Sequence, residues 1–455
     1  MLEQNKQEKI KVNRGALPMV KLTLPLALEQ FFRILVSSVD TVMLSSFSEN
    51  AVAGVGLVSQ YVFFLNLLFS VIGTGTSIVL AQYLGANKSE KELNYIAQAS
   101  SVMITIISLI LTAIVIFGTG PLLSCYQLDP EVRKFAWEYF VIYGGISSFF
   151  SAFSLLQSSI LRCYGYTKST MIVTIVANII NVCGNAISLY GLFGLPVLGV
   201  KGVASSSALS MIVSCILLGI IIKRKKDVQF SLKNIRNTPR KIYKMILSVG
   251  VPTAGESLSY NISQIVIMAM ISSLGTFAIS AQVYTQTIVR FVFVMAASIG
   301  SAVQIKTGYY VGAKEFDIAY KKIFKYGFVA TCCSMGMMLV VNLIKPFIIG
   351  IFTNQIEVVN LVSTLLIYST LIEFGRSLNL IYVGALKGSG DIKFPVSYGI
   401  ISMWSIMVLG SFILGLQLGL GIVGFWLAIG AEETSRGFVM LLRWKSKKWQ
   451  SKSIV

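Results

Sequence analysis

Apolar stretches as long as a membrane is thick recur along this chain, most plainly at residues 102–117 and 205–222 with their flanks, and they limit the fold more than any motif does. A run of about 20 apolar residues crosses a hydrocarbon core as a helix, because its backbone polar groups then pair within the segment. Composition agrees. Hydrophobic residues make up 55%, mean hydropathy is +0.75 and 13% of residues are charged, roughly half the charged share of a soluble domain. That balance argues against a cytosolic enzyme. The pattern predicts spans at 18–44, 53–82, 95–118, 132–156, 169–190, 201–222, 243–270, 277–305, 323–344, 356–383, 394–416 and 421–442. The expected class is an all-α polytopic membrane protein with twelve transmembrane helices.

A net charge of +19 would point to nucleic acid in a soluble protein, so the placement of the bases decides. Lys6, Lys9, Lys11 and Arg14 precede the first span. Residues 223–226, all basic, follow the sixth with Lys233, Arg236, Arg240, Lys241 and Lys244. Lys88, Lys91, Arg162, Lys168, Lys314, Lys321, Lys322, Lys325, Lys387, Lys393 and the tail Arg443, Lys445, Lys447 and Lys448 fall on the same side. The other side carries little beyond Arg133, Lys134, Lys201 and Lys345. By the positive-inside rule both termini are expected in the cytoplasm of a bacterial-type plasma membrane. Membrane lipid, not nucleic acid, is the expected partner of the basic loops. No signal-peptidase pattern follows the first apolar stretch, so the amino end is expected to stay on the chain. The expected divisions are a cytoplasmic segment at 1–17, a six-helix half at 18–222, a basic cytoplasmic linker at 223–242, a second half at 243–442 and a basic tail at 443–455.

Those halves repeat each other. Leu24, Pro25 and Glu29 return as Val251, Pro252 and Glu256 after 227 positions, as do Ile72 and Gly73 in Ile299 and Gly300. Gly85, Ala86 and Lys88 recur as Gly312, Ala313 and the nearby Lys314. Residues 161–165 with Lys168 match 386–390 with Lys393 after 225 positions, and Gly199 and Gly202 match Gly421 and Gly424 after 222. Because each half has an even number of spans, the two repeats are parallel, related by a pseudo-two-fold axis along the membrane normal. The seam between such repeats is the expected substrate path, and one chain suffices to build it.

Chemistry by imidazole is excluded, since the chain has no histidine. Its six cysteines show no metal or redox spacing; Cys125 is expected to face outward with a free thiol. No Walker lysine follows the paired glycines at 54 and 56 or at 73 and 75. No cofactor is expected, and energy must come from an ion gradient or another polypeptide. Ionisable residues inside spans mark function or pairing. On an ideal helix Arg33 and Asp40 lie about 40° and 20° from Glu29, a stripe that Gln30 and Ser37 widen. Glu29 and Arg33 are spaced to neutralise each other. Asn178, Asn181 and Asn185 share a face within about 60° and offer oxygens or interhelical hydrogen bonds. Tyr260, Ser263 and Gln264 accompany Glu256, while Gln282, Tyr284 and Arg290 punctuate the eighth span and Glu373 and Arg376 the tenth.

Taken in order, residues 24–30 through Asp40, the run 81–86, the element 161–168, Glu256 after Pro252, and Glu373 to Arg376 followed by 386–391 resemble the multidrug and toxic compound extrusion family. The likeness covers nearly the whole chain. It implies an antiporter, not an enzyme, that exports organic cations or amphipathic drugs in exchange for Na⁺ or H⁺ by alternating access. Within it Asp40 resembles the first-helix carboxylate of a cation site, with Asn181 as its partner and both as possible Na⁺ ligands. Asn185 stands where many relatives have a second carboxylate. Glu256 resembles a seventh-helix acid used in coupling by another branch, and the tenth-helix acid of the same branch has no clean counterpart, since Arg376 lies near its place and Glu373 is the candidate substitute. Asp40, Asn178, Asn181, Asn185 and Glu256 are therefore the coupling candidates. Glu29, Gln30, Arg33, Tyr260, Gln264, Gln282, Tyr284, Arg290, Glu373 and Arg376 are the candidates for the substrate path or gating. The alternative is a flippase for lipid-linked oligosaccharide or peptidoglycan precursors, which would favour a strongly cationic cavity over this mixture of charges.

Overall fold

The computed structural model describes residues 17–233 and 235–455, the Phe193 side chain excepted. Lys6, Lys9, Lys11 and Arg14, with nearly all of the 1–17 segment, lie outside the described residues. Regular structure among those described is helical throughout. Among the described residues nine helices are long and apolar enough to cross a membrane, or ten when a bent pair counts as one span.

Two compact units divide the chain. The amino-terminal unit comprises residues 24–80 and 88–254. It holds most of α1 (Met19–Phe47) and α2 (Glu49–Gly85), then α3 (Glu90–Ser124), α4 (Pro130–Tyr139), α5 (Ser148–Cys163), α6 (Thr167–Tyr190), α7 (Gly199–Arg224) and the start of α8 (Arg240–Ser272). α3 opens on a reciprocal cap: the Ser89 hydroxyl accepts from the Glu92 N–H while the Glu92 carboxylate accepts from the Ser89 N–H. A π-helical stretch, Phe140–Ile146, joins α4 to α5, and the two halves of that span meet at 46°. Sequence periodicity gives this region as a single span at 132–156. A π-helical stretch widens the turn and disturbs the axis locally, and average hydropathy along the span does not register it.

α1 and α6 run parallel and in step. Thr174 meets Glu29 and Asn185 meets Asp40, and each contact joins residues 145 apart. The apolar core near the Asp40 end of this pair contains Met43, Leu44, Val55, Phe135, Leu189 and Val203.

Among the described residues the carboxyl-terminal unit comprises 17–23, Ala81–Asn87 and Gly255–Val455. It contains the rest of α8, then α9 (Thr276–Gly312), α10 (Phe316–Leu343), α11 (Lys345–Phe352), α12 (Ile356–Ser389), α13 (Lys393–Ser402), α14 (Leu409–Ser411) and α15 (Gly421–Lys445). π-helical stretches at Met403–Val408 and Phe412–Gln417 carry α13 and α14 on to Gln417 as one span. Bare glycine lets α12 lie close to its neighbours: a Cβ on Gly384 would stand 2.6 Å from the Gly300 carbonyl oxygen of α9, and one on Gly437 of α15 would stand 2.8 Å from that of Gly375.

Twelve spans were expected, and α8 and α15 fall outside the set of apolar ones. Both are long enough. α8 is diluted by Glu256, Ser257, Ser259, Asn261, Ser263 and Gln264, and α15 carries Glu432, Glu433 and Arg436.

The duplication has local structural counterparts. Asn87 and Lys314, 227 positions apart, are both non-glycine residues with positive φ, 48° and 60°. Gly165 and Gly390, 225 apart, have φ of 87° and 94°. The turns they make close with the same bond, Tyr166 N–H to the Leu161 carbonyl at 2.9 Å and Asp391 N–H to the Leu386 carbonyl at 3.0 Å.

Candidate functional site

Asp40 is half-buried near the end of α1, where α6 presents its amides. The Asn185 side chain donates to Asp40 Oδ1 at 2.8 Å. Asn181 satisfies its surroundings when its amide nitrogen faces Asp40, 3.0 and 3.3 Å from the two carboxylate oxygens, and its oxygen accepts from Ser207 of α7 at 2.9 Å. Asn185 Oδ1 is buried and has no hydrogen-bond partner. Tyr139 and Tyr143 lie within electrostatic reach of the carboxylate. The result is a carboxylate ringed by neutral oxygens and amides, a donor set suited to a proton or a hard monovalent cation. No ion pair to Asp40 exists among the described residues, and they hold no cluster of three His, Cys, Asp or Glu side chains able to bind a metal.

The remaining acids deep in the long helices are paired. Glu29, 1% exposed, accepts from Arg33 at 3.1 Å, Arg162 at 2.6 Å, Thr174 at 3.2 Å and Thr170 at 3.3 Å. Arg33 therefore serves Glu29, as their spacing suggested, and not Asp40. Glu256 takes Lys387 at 2.7 Å and Arg436, which also lies 3.5 Å from Glu432. Ser402 donates to Glu432 at 2.7 Å. Arg376 bridges Glu373 at 2.5 Å and Glu433 at 3.0 Å, and Asn379 donates to the other Glu433 oxygen at 2.9 Å.

Of the other sequence candidates, Gln282 is buried and accepts from the Trp426 indole at 2.6 Å. Tyr260 and Tyr284 pack against the apolar cluster around Ile267, Leu365 and Phe425, and Tyr284 also meets Phe352 with ring centres 5.3 Å apart. Gln264 approaches the Met407 sulfur at 3.8 Å. Arg290 is exposed, Gln30 is half-buried, and Asn178 has a buried amide nitrogen without a hydrogen-bond partner. Sequence reasoning missed Ser207, Thr170, Thr174, Asn379 and the α15 trio of Glu432, Glu433 and Arg436. An acidic pair three and four residues before an arginine inside an apolar run was the available signal for the trio. Arg162 and Lys387 were weighed as charges that set orientation and as members of the repeated element, not as partners of an acid.

Comparison with known proteins places the geometry in a wider group. The MatE family pattern matches this chain twice, at residues 25–187 and 252–413. The chain is 36% identical over 433 residues to the Uncharacterized transporter YisQ of Bacillus subtilis (strain 168), covering 95% of each. It is 25% identical to the Probable multidrug resistance protein NorM of Thermotoga maritima, covering 96% of this chain and 94% of the other. A solved structure described as the outward-facing conformation of a multidrug resistance MATE family transporter superposes with a TM-score of 0.86 at 20% identity, over 94% of this chain and 95% of that one.

Proposed function

The chain belongs to the MatE family, and from that membership we propose that it is a secondary antiporter exporting organic cations or amphipathic drugs, with Asp40 as the residue that exchanges the coupling ion. The observation that carries this reading is that, among the described residues, no base pairs with Asp40, whereas Glu29, Glu256, Glu373, Glu432 and Glu433 are each held in an ion pair. A charge fixed by a partner has the same occupancy throughout a transport cycle. Only a site whose ion affinity differs between two states transmits a gradient to a conformational change.

Na⁺ or H⁺ occupies the site in this scheme, with Asn181, Asn185 and Ser207 as oxygen ligands or hydrogen-bond partners. Gln30, Tyr260, Gln264, Gln282, Tyr284 and Arg290 serve the substrate path or its gating. α8 and α15 cross the membrane with the ten apolar spans, which makes twelve helices in two parallel repeats. Both termini face the cytoplasm of the plasma membrane, the basic loops meet anionic lipid, and the single chain is the working unit.

Vesicles reconstituted with equal amounts of wild type, Asp40→Asn and Glu256→Gln test the assignment under separate Na⁺ and proton gradients, with efflux of a fluorescent organic cation as the readout. Asp40→Asn should bind substrate and lose gradient-driven flux. Full flux in that variant refutes the assignment, and loss confined to Glu256→Gln moves coupling to the other half.

A further inference from the structure

The internal repeat and the ion pairs point to the same residues. Glu29 and Glu256 are repeat counterparts, 227 positions apart, and so are Arg162 and Lys387, 225 apart. Arg162 meets Glu29 at 2.6 Å and Lys387 meets Glu256 at 2.7 Å. We propose that these pairs are two copies of one positioning lock, a fixed clamp that holds the first helix of each half against the end of its fourth, and that neither Glu29 nor Glu256 exchanges an ion. This inference rests on the reading of Asp40 above.

Each acid lies one turn beyond a proline, Pro25 in α1 and Pro252 in α8. Proline removes a backbone donor and weakens the helix there, so the segment that follows needs an external anchor to keep its place. The anchoring base stands in both copies just before the glycine turn with matching backbone geometry, Gly165 or Gly390.

Around this shared pair the copies differ, and each difference is compensated. The first copy surrounds Glu29 with Arg33, Thr170 and Thr174. Their counterparts in the second half are Tyr260, Pro395 and Gly399, none of which donates to Glu256. Arg436 fills that role from α15, and Gly399 leaves it room: a Cβ there would stand 3.1 Å from the guanidinium carbon. Both acids thus keep two cationic partners through different residues, as expected of a fixed clamp. The exchange site has no such copy. Asp40 corresponds to Ile267, 1% exposed in an apolar cluster.

A lock on α1 also fixes the register of Asp40 against Asn181 and Asn185, since α6 carries both sets of partners. Breaking it therefore acts on ion affinity, while breaking the second copy does not. In reconstituted vesicles Arg162→Met should raise the half-saturating Na⁺ or proton concentration about tenfold, less than the full cost of a buried broken pair because Arg162 is half-buried and its effect on Asp40 is indirect, and Arg162→Lys should restore it. Lys387→Met and Glu256→Gln should slow transport with the half-saturation unmoved. If Arg162→Met does not fold, Glu29→Gln combined with Arg162→Met removes both charges and is read in the same way. An unmoved half-saturation in the first copy, or a moved one in the second, overturns the lock. The two readings separate cleanly: full gradient-driven flux in Asp40→Asn removes the Asp40 assignment itself, whereas loss there with no shift in Arg162→Met overturns the lock alone.

Discussion

Trp426 and Gln282, 4% and 2% exposed, show what one buried polar pair does in this protein. The indole N–H donates to the amide oxygen at 2.6 Å, and water is not at hand to replace it. Gln282→Leu should destabilise the detergent-solubilised protein by about 1–3 kcal/mol, the cost of an unpaired buried donor. Adding Trp426→Phe should recover part of that loss, and thermal unfolding measures both. Sequence singled out Gln282 by residue type but had no means of finding Trp426, because a contact between residues 144 apart leaves no local trace. The meeting of Asp40 with Asn185 was more legible, since helical angle alone put each on a polar stripe. Angle says nothing of height. Asn178 shares the face of Asn185 but lies about 10 Å from it along α6, and among the described residues Asn185, not Asn178, donates to Asp40.

Among the helices, most spans were readable from hydropathy, and the exceptions have physical causes. α15 was expected as an ordinary span, yet its polar face is an electrostatic partner of α8 and α12. The seam of α9 with α12 is steric. Gly384→Val should prevent their close approach, because the Gly300 carbonyl oxygen stands 2.6 Å from where a Cβ begins, and the expected result is loss of monodisperse protein in size-exclusion chromatography. Gly56 in α2 is the control. Nothing lies within 4 Å of a Cβ added there, so Gly56→Ala should keep full yield and gain about 0.5–1 kcal/mol of helix preference.

At the scale of the molecule, the proposed orientation makes Cys125 and the basic linker report opposite sides. Cys125 is exposed just beyond α3, and Lys226 is exposed after α7. With the other cysteines replaced by serine, Cys125 should react with an impermeant maleimide in intact cells, while Lys226→Cys in a Cys125→Ser background should react only after permeabilisation. The reverse pattern would invert the topology. The double match of the family pattern, at 25–187 and 252–413, follows the duplication legible in the sequence, whereas the division into units, with Ala81–Asn87 grouped with the later residues, follows tertiary contacts that no local pattern encodes. α15 has a further consequence, for biogenesis. A charged residue at the centre of a lone helix costs roughly 2.5–3.5 kcal/mol to insert, and this helix carries three: Glu433 and Arg436 pair with α12 and α8, which are synthesised before it, and Glu432 pairs with Arg436 of the same helix. Its entry into lipid is thus favoured only once those neighbours are in place. A chain that loses Arg376 or Glu256 would meet the cell's quality control as a failed insertion before it was noticed as a slow pump.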